Sequence, residues 1–153
     1  MDRFARIADR LVEQMGVRVL IGGAAGEREM GEEMARKMSQ VPVNLMGMTS
    51  WGVLAALIRD ASLFVGCDSG PMHLAAVYET PCVCLFGPTR PEEWAPRGQY
   101  ARIIRNVQSC PDCWPWHPRR DCVHGRACMK AIEVDEVWQA CREADKKGLG
   151  ARR

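Results

Sequence analysis

The chain is 153 residues long, 47% hydrophobic and nearly balanced in charge, with 21 Lys and Arg against 19 Asp and Glu. That length suits one domain with its own core, and a formal net charge of +2 is too small to argue for nucleic acid as a partner. No stretch approaches the roughly 20 apolar residues needed to span a membrane, and Asp2, Asp9 and Glu13 interrupt any signal-peptide core, so the expected compartment is the cytoplasm.

Phe4, Ile7, Ala8, Leu11, Val12 and Met15 recur on one helical stripe and predict a first helix, stopped by Gly16. Residues 17–21 read as a short apolar strand leading into Gly22-Gly23-Ala24-Ala25-Gly26. By itself this loop is a turn that needs small residues, and only a loose relative of the dinucleotide fingerprint. A charged helix is predicted at 27–38, a short strand at 43–45, and a helix capped by Ser50 that runs through Ile58.

Leu63-Phe64-Val65-Gly66 reads as a buried strand, and it ends in Asp68-Ser69-Gly70-Pro71 with an apolar helical pattern directly after. Ser69 is expected to cap that helix, and Pro71 suits its first turn, where a missing N–H costs nothing. Gly70 lets a ligand approach the backbone. The free N–H groups and positive dipole end of such a unit suit a phosphate, although capping alone would also explain Asp68 and Ser69. A second strand, 81–86, runs into Gly87-Pro88-Thr89, and a last one is expected at 100–105. Ligands of open α/β sheets sit at the C-terminal edge where these loops emerge. The alternation predicts an α/β fold, a Rossmann-like parallel sheet of about five strands with helices on both faces. No internal repeat is visible. A final helix over 134–144 places Val134, Val137, Trp138 and Cys141 on one face.

Between the last strand and the last helix, residues 108–129 are rich in Cys, Pro, His and Trp. Cys110, Cys113, Cys122 and Cys128 follow the spacing C-x2-C-x8-C-x5-C, whose first pair has the knuckle spacing of a tetrathiolate site. Pro111, Pro115 and Pro118 leave little regular structure there, so a structural zinc, or iron, would supply a cross-link. His117 and His124 are alternative ligands. The competing reading is four reduced thiols in an irregular loop, with disulfides behind both in a reducing compartment. No redox cofactor is expected. Cys67, Cys82, Cys84 and Cys141 lie in apolar elements and read as core residues.

Three strings, Asp-Ser-Gly-Pro-Met-His-Leu-Ala-Ala at 68–76, Leu-Phe-Gly-Pro-Thr at 85–89 and Gly-Met-Thr-Ser-Trp at 47–51, carry a family resemblance. At these residues, and along nearly the whole chain, the sequence resembles glycosyltransferase family 9, the lipopolysaccharide heptosyltransferase family. The resemblance implies the C-terminal, donor-binding half of a two-domain GT-B enzyme, with the Cys-rich loop added, transferring a sugar from a nucleotide donor with inversion. It implies that Glu27 binds the donor ribose, with Glu29 in its place if the alignment slips by two, and that the base lies against the backbone at Gly47, Met48 and Thr49. Donor phosphate would be held by the Ser69 hydroxyl and the N–H groups of Ser69 and Gly70. Asp68 would repel phosphate and is expected to accept from a sugar hydroxyl. His73 would donate to phosphate or orient Asp68, with a structural role as the alternative.

Family members carry the acceptor site and catalytic base on an N-terminal domain, and a donor-binding lysine in the loop after the first strand of the C-terminal one. This chain starts in the helix that follows that strand, so the expectation is half of a longer enzyme, or the product of an interrupted gene, with no catalytic residue of its own. Residues 1–146 are expected to form the nucleotide-sugar-binding domain, with 147–153 a flexible tail. The implied partners are a nucleotide-diphosphate sugar such as ADP-heptose and, through the other domain, a lipid A–core acceptor. No nucleic acid and at most peripheral membrane contact are expected, at the inner face of the inner membrane. Two rival readings are a stand-alone, non-catalytic nucleotide-binding fragment and a small zinc protein binding nucleic acid through residues 108–128, where Arg119, Arg120 and Arg126 add charge.

Overall fold

A computed structural model of the chain describes residues 1–106, 122 and 124–148. The chain divides into two compact units, Met1–Leu54 and Ala55–Arg153.

The first unit opens with α1 (Asp2–Met15), whose buried face is Ala5, Ile7, Ala8 and Leu11. Gly16 ends it in the left-handed region, φ 65°, and donates its N–H to the Val12 carbonyl, the arrangement that favours glycine after a C-cap. β1 (Leu20–Ile21) and β2 (Val43–Asn44) form a parallel pair. Their regular spans are shorter than the apolar runs predicted, yet the bonding continues past them, from Leu45 N–H to the Ile21 carbonyl and from Gly47 N–H to that of Gly23. Between them, a 3-10 turn (Ala25–Glu27) leads into α2 (Arg28–Lys37). The Asp9 carboxylate accepts N–H bonds from Ser39 at 2.9 Å and Gln40 at 3.3 Å, which ties the turn after α2 back to α1. At the start of α3 (Trp51–Asp60), the Val53 N–H donates to the Ser50 hydroxyl, so Ser50 caps as expected.

In the second unit β3 (Phe64–Cys67), β4 (Cys82–Phe86) and β5 (Ala101–Arg105) form one parallel sheet in the order β3-β4-β5. Every residue of β4 is buried. Successive side chains of a strand point to opposite faces, so both faces of the sheet are covered there, as parallel sheets require. α4 (Gly70–Val77) packs on β3 and β4, and the last helix packs on β4 and β5. Thr80, fully buried, donates its hydroxyl to the Ile58 carbonyl at 2.8 Å and so satisfies one of the orphan carbonyls at the end of α3. Two one-turn helices, α5 (Pro91–Trp94) and α6 (Ala127–Lys130), are too short for any periodicity to reveal. α7 (Val134–Gly148) buries Val134, Val137, Trp138 and Cys141, the face predicted for it. Residues 149–153, and most of the Cys-rich segment, lie outside the described residues. The fold class is α/β with every strand pair parallel. Among the described residues no helix is long and apolar enough to cross a membrane.

Candidate functional site

In the second unit the candidate ligand turn sits where β3 gives way to α4. The register pairs Cys67 with Leu85, so Asp68 emerges level with Phe86, and the loop Gly87-Pro88-Thr89 leaves the same C-terminal edge beside it. Ser69 is the N-cap residue with extended backbone, and Pro71 occupies the first turn. The expected side-chain cap is not made. Instead the Ser69 hydroxyl donates to the Cys67 carbonyl at 3.1 Å, because that carbonyl ends the strand within reach two residues back. Pro71 has no N–H and the Met72 N–H donates to the Ser69 carbonyl at 3.1 Å, which leaves the N–H groups of Ser69 and Gly70 at the positive end of the helix dipole. Ser69 and Gly70 are exposed, Asp68 is half-buried, and His73 stands one turn into α4, open to solvent.

Close packing shapes the neighbouring loop. A Cβ on Gly87 would stand 2.6 Å from the Met129 sulfur, so the segment around α6 rests directly on the bare glycine. The Thr89 Oγ1 atom is buried without a hydrogen-bond partner among the described residues.

In the first unit Glu27 and Thr49 follow the C-terminal ends of β1 and β2. The loops that carry them touch: a Cβ on Gly47, at φ 71°, would stand 2.7 Å from the Ala25 Cα. Only glycine meets both demands. Glu27 has a local task that the sequence did not reveal. Its carboxylate accepts the Ala24 N–H at 2.9 Å while its own N–H donates to the Ala24 carbonyl, a reciprocal pair that locks the glycine loop. The residue stays exposed, and a carboxylate has acceptor sites left for a vicinal diol. Thr49 is half-buried beside the exposed Met48. The six candidate residues thus occupy C-terminal edges of parallel strands, Glu27 and Thr49 in one unit and Asp68, Ser69, Gly70 and His73 in the other.

Among the cysteines, Cys82, Cys84 and Cys141 are fully buried, as expected of core residues. Burial pushes the Cys141 thiol up to about 12. Cys67 is a correction: it is exposed, because it is the last residue of β3 at the open edge of the sheet. Of the proposed metal ligands, Cys110 and Cys113 lie outside the described residues, as does His117. Cys122 is exposed and its sulfur accepts the Arg126 N–H at 3.2 Å. Cys128 is buried. Among the described residues no three ligating side chains come together.

Comparison with known proteins gives a consistent result. Residues 1–123 match the model of glycosyltransferase family 9 (heptosyltransferase). A lipooligosaccharide heptosyltransferase 2 of Haemophilus influenzae is 34% identical over 109 residues, which cover 69% of this chain and 31% of that protein. A lipopolysaccharide heptosyltransferase 3 of Escherichia coli is 39% identical over 98 residues, covering 62% of this chain and 28% of that one. Among solved structures, an ADP-heptose LPS heptosyltransferase II of E. coli superimposes with a TM-score of 0.79 at 25% identity, over 95% of this chain and 41% of that chain. The chain therefore spans less than half the length of these relatives.

Proposed function

The chain belongs to glycosyltransferase family 9, the heptosyltransferases, and from that premise we propose that it is the donor-binding, C-terminal half of an inverting glycosyltransferase of lipopolysaccharide core synthesis. The observation that carries this reading is the β3–α4 turn, where exposed Ser69 and Gly70 form a helix N-terminus without a side-chain cap at the C-terminal edge of a parallel sheet. The donor is a nucleotide-diphosphate sugar, and ADP-heptose is favoured by the name of the solved E. coli relative.

The donor diphosphate is held by the N–H groups and hydroxyl at Ser69 and Gly70, where the helix dipole offsets its charge. That charge grows on the leaving group as the glycosidic bond breaks, so the same groups stabilise the transition state more than the ground state. Asp68 accepts from a hydroxyl of the transferred sugar, and His73 supports phosphate from one turn further along α4. Glu27 takes the ribose diol, and the backbone at Thr49 faces the base. Attack by the acceptor, a lipid A–core saccharide, requires a general base, which we place outside residues 1–153, in the portion of the relatives that the chain does not span. The reaction is assigned to the cytoplasm, at the inner face of the inner membrane.

Calorimetric titration of the whole chain with ADP, ADP-heptose, UDP and GDP tests the reading. Saturable binding of ADP and ADP-heptose, with UDP and GDP weaker, is expected. Absence of binding by every nucleotide would remove it.

A further inference from the structure

A large aromatic ring is costly to leave in water, yet Trp51 is 64% exposed, and Met48 close by is 62% exposed. Both lie in the first unit, Met48 in the loop after β2 and Trp51 as the first residue of α3. Gly52 keeps the helix start open, since a Cβ on it would meet nothing within 4 Å. Adjacent exposed apolar side chains of this size mark a place where something binds.

The helix itself fixes the side on which the indole stands. Trp51 and Leu54 are three residues apart in α3 and so share a face. A Cβ on Gly22 would stand 3.3 Å from the Leu54 Cδ1 atom, which turns that face toward the end of β1. Helical side chains lean toward the helix N-terminus. Trp51 therefore stands one turn further out than Leu54, alongside the loop that leaves the C-terminal end of β1.

That loop is a bare floor. Gly22, Gly23, Ala24, Ala25 and Gly26 carry nothing larger than a methyl group. Glu27 bounds it, with its Oε2 atom 3.0 Å from where a Cβ on Gly23 would be. A carboxylate, a floor of small residues and an exposed indole follow the order of groups in a nucleoside: the ribose hydroxyls at Glu27, the base beside the ring. Stacking asks only for a π-face, and a larger ring overlaps more, so an indole platform favours a purine over a pyrimidine. We infer that Trp51 stacks on the base of the donor nucleotide and sets a preference for purines, an inference that rests on the donor-binding reading above.

Calorimetric titration of the whole chain with ADP, UDP and inorganic pyrophosphate, repeated on Trp51→Ala and Trp51→Phe, tests this role. Trp51→Ala should weaken ADP roughly tenfold, the order of one base–aromatic stack. It should weaken UDP less and leave pyrophosphate, which has no base, unchanged. Trp51→Phe should restore most of the ADP affinity. ADP bound equally well by the parent chain and Trp51→Ala would overturn the stacking and leave the donor reading standing. Equal losses of ADP and pyrophosphate would overturn it too, because the effect would not lie at the base. Failure of both ADP and pyrophosphate to bind the parent chain would remove the donor reading and the stacking with it.

Discussion

The Ser69 hydroxyl is hydrogen-bonded to the Cys67 carbonyl, so the turn closes on itself and leaves the first N–H groups of α4 uncapped by the side chain. A hydroxyl that donates still has lone pairs, and on donor binding it can exchange that carbonyl for phosphate. Ser69→Ala should weaken ADP binding by about 1–2 kcal/mol, the order of one charge-assisted hydrogen bond. Gly70→Val should weaken it more, because its side chain would stand in the path of the phosphate. Calorimetry on both variants checks this, and unchanged affinity in both would detach the turn from the ligand.

Gly47→Ala should be costly in a different way. The added Cβ would meet the Ala25 Cα at 2.7 Å on a backbone already at φ 71°, so the loops after β1 and β2 must move apart. A loss of about 1–3 kcal/mol is expected from strain and overpacking. Thermal unfolding reads the loss, and a variant as stable as the parent would show that the contact is soft.

The thiols should separate by position. Cys82, Cys84 and Cys141 are sealed in the core, and burial holds Cys141 at about 12, so at pH 8 all three should resist alkylation until the chain unfolds. Cys122, exposed, should react early. Cys67 is exposed at the end of β3, though partial desolvation and the adjoining Asp68 raise its thiol above the usual range. Bound nucleotide should slow its labelling, because Asp68 and Ser69 follow it directly. Mass spectrometry of pulse-alkylated protein with and without ADP gives the answer.

The cysteine segment carries an expectation of its own. A divalent ion held by Cys110, Cys113, Cys122 and Cys128 would be structural, with no open position for water. Its ligands must be thiolates, so affinity should fall as pH falls. Elemental analysis of chain purified without added metal should find about one zinc or iron per chain. Cys113→Ser should lose the metal and keep nucleotide binding. Metal-free protein with four freely titrating thiols would establish the reduced-loop alternative.

Transfer activity should be absent from the 153-residue chain. Donor binding without a base aligned to the acceptor leaves the main acceleration unrealised. Incubation with ADP-heptose and a lipid A–core acceptor should yield no product, and steady turnover would place the base within this chain.

Much of this architecture was legible because its signals are local. The stripe from Phe4 to Met15, the Gly16 stop, the Ser50 cap and the four-residue face of α7 are each written in one short window. Long-range choices were not. Whether Ser69 caps its helix or bonds back to Cys67 is decided by where β3 ends, and the exposure of Cys67 follows from the same edge. Glu27 was assigned from family resemblance, while its bond to the Ala24 N–H depends on the 3-10 turn that only the folded loop displays. Nothing in the neighbours of Glu79 signals its left-handed backbone, φ 55°.

The β3-β4-β5 order also governs how the second unit assembles. Phe64 pairs with Cys82, and Cys82 with Ala101, so each ladder closes over one intervening helix-and-loop segment and joins only its neighbour in sequence. Loop-closure entropy is then spent in two modest instalments rather than one long one. A parallel sheet is ordinarily slow to form, but consecutive pairing keeps its contact order low. β4, as the shared member of both ladders, is where the two closures become cooperative.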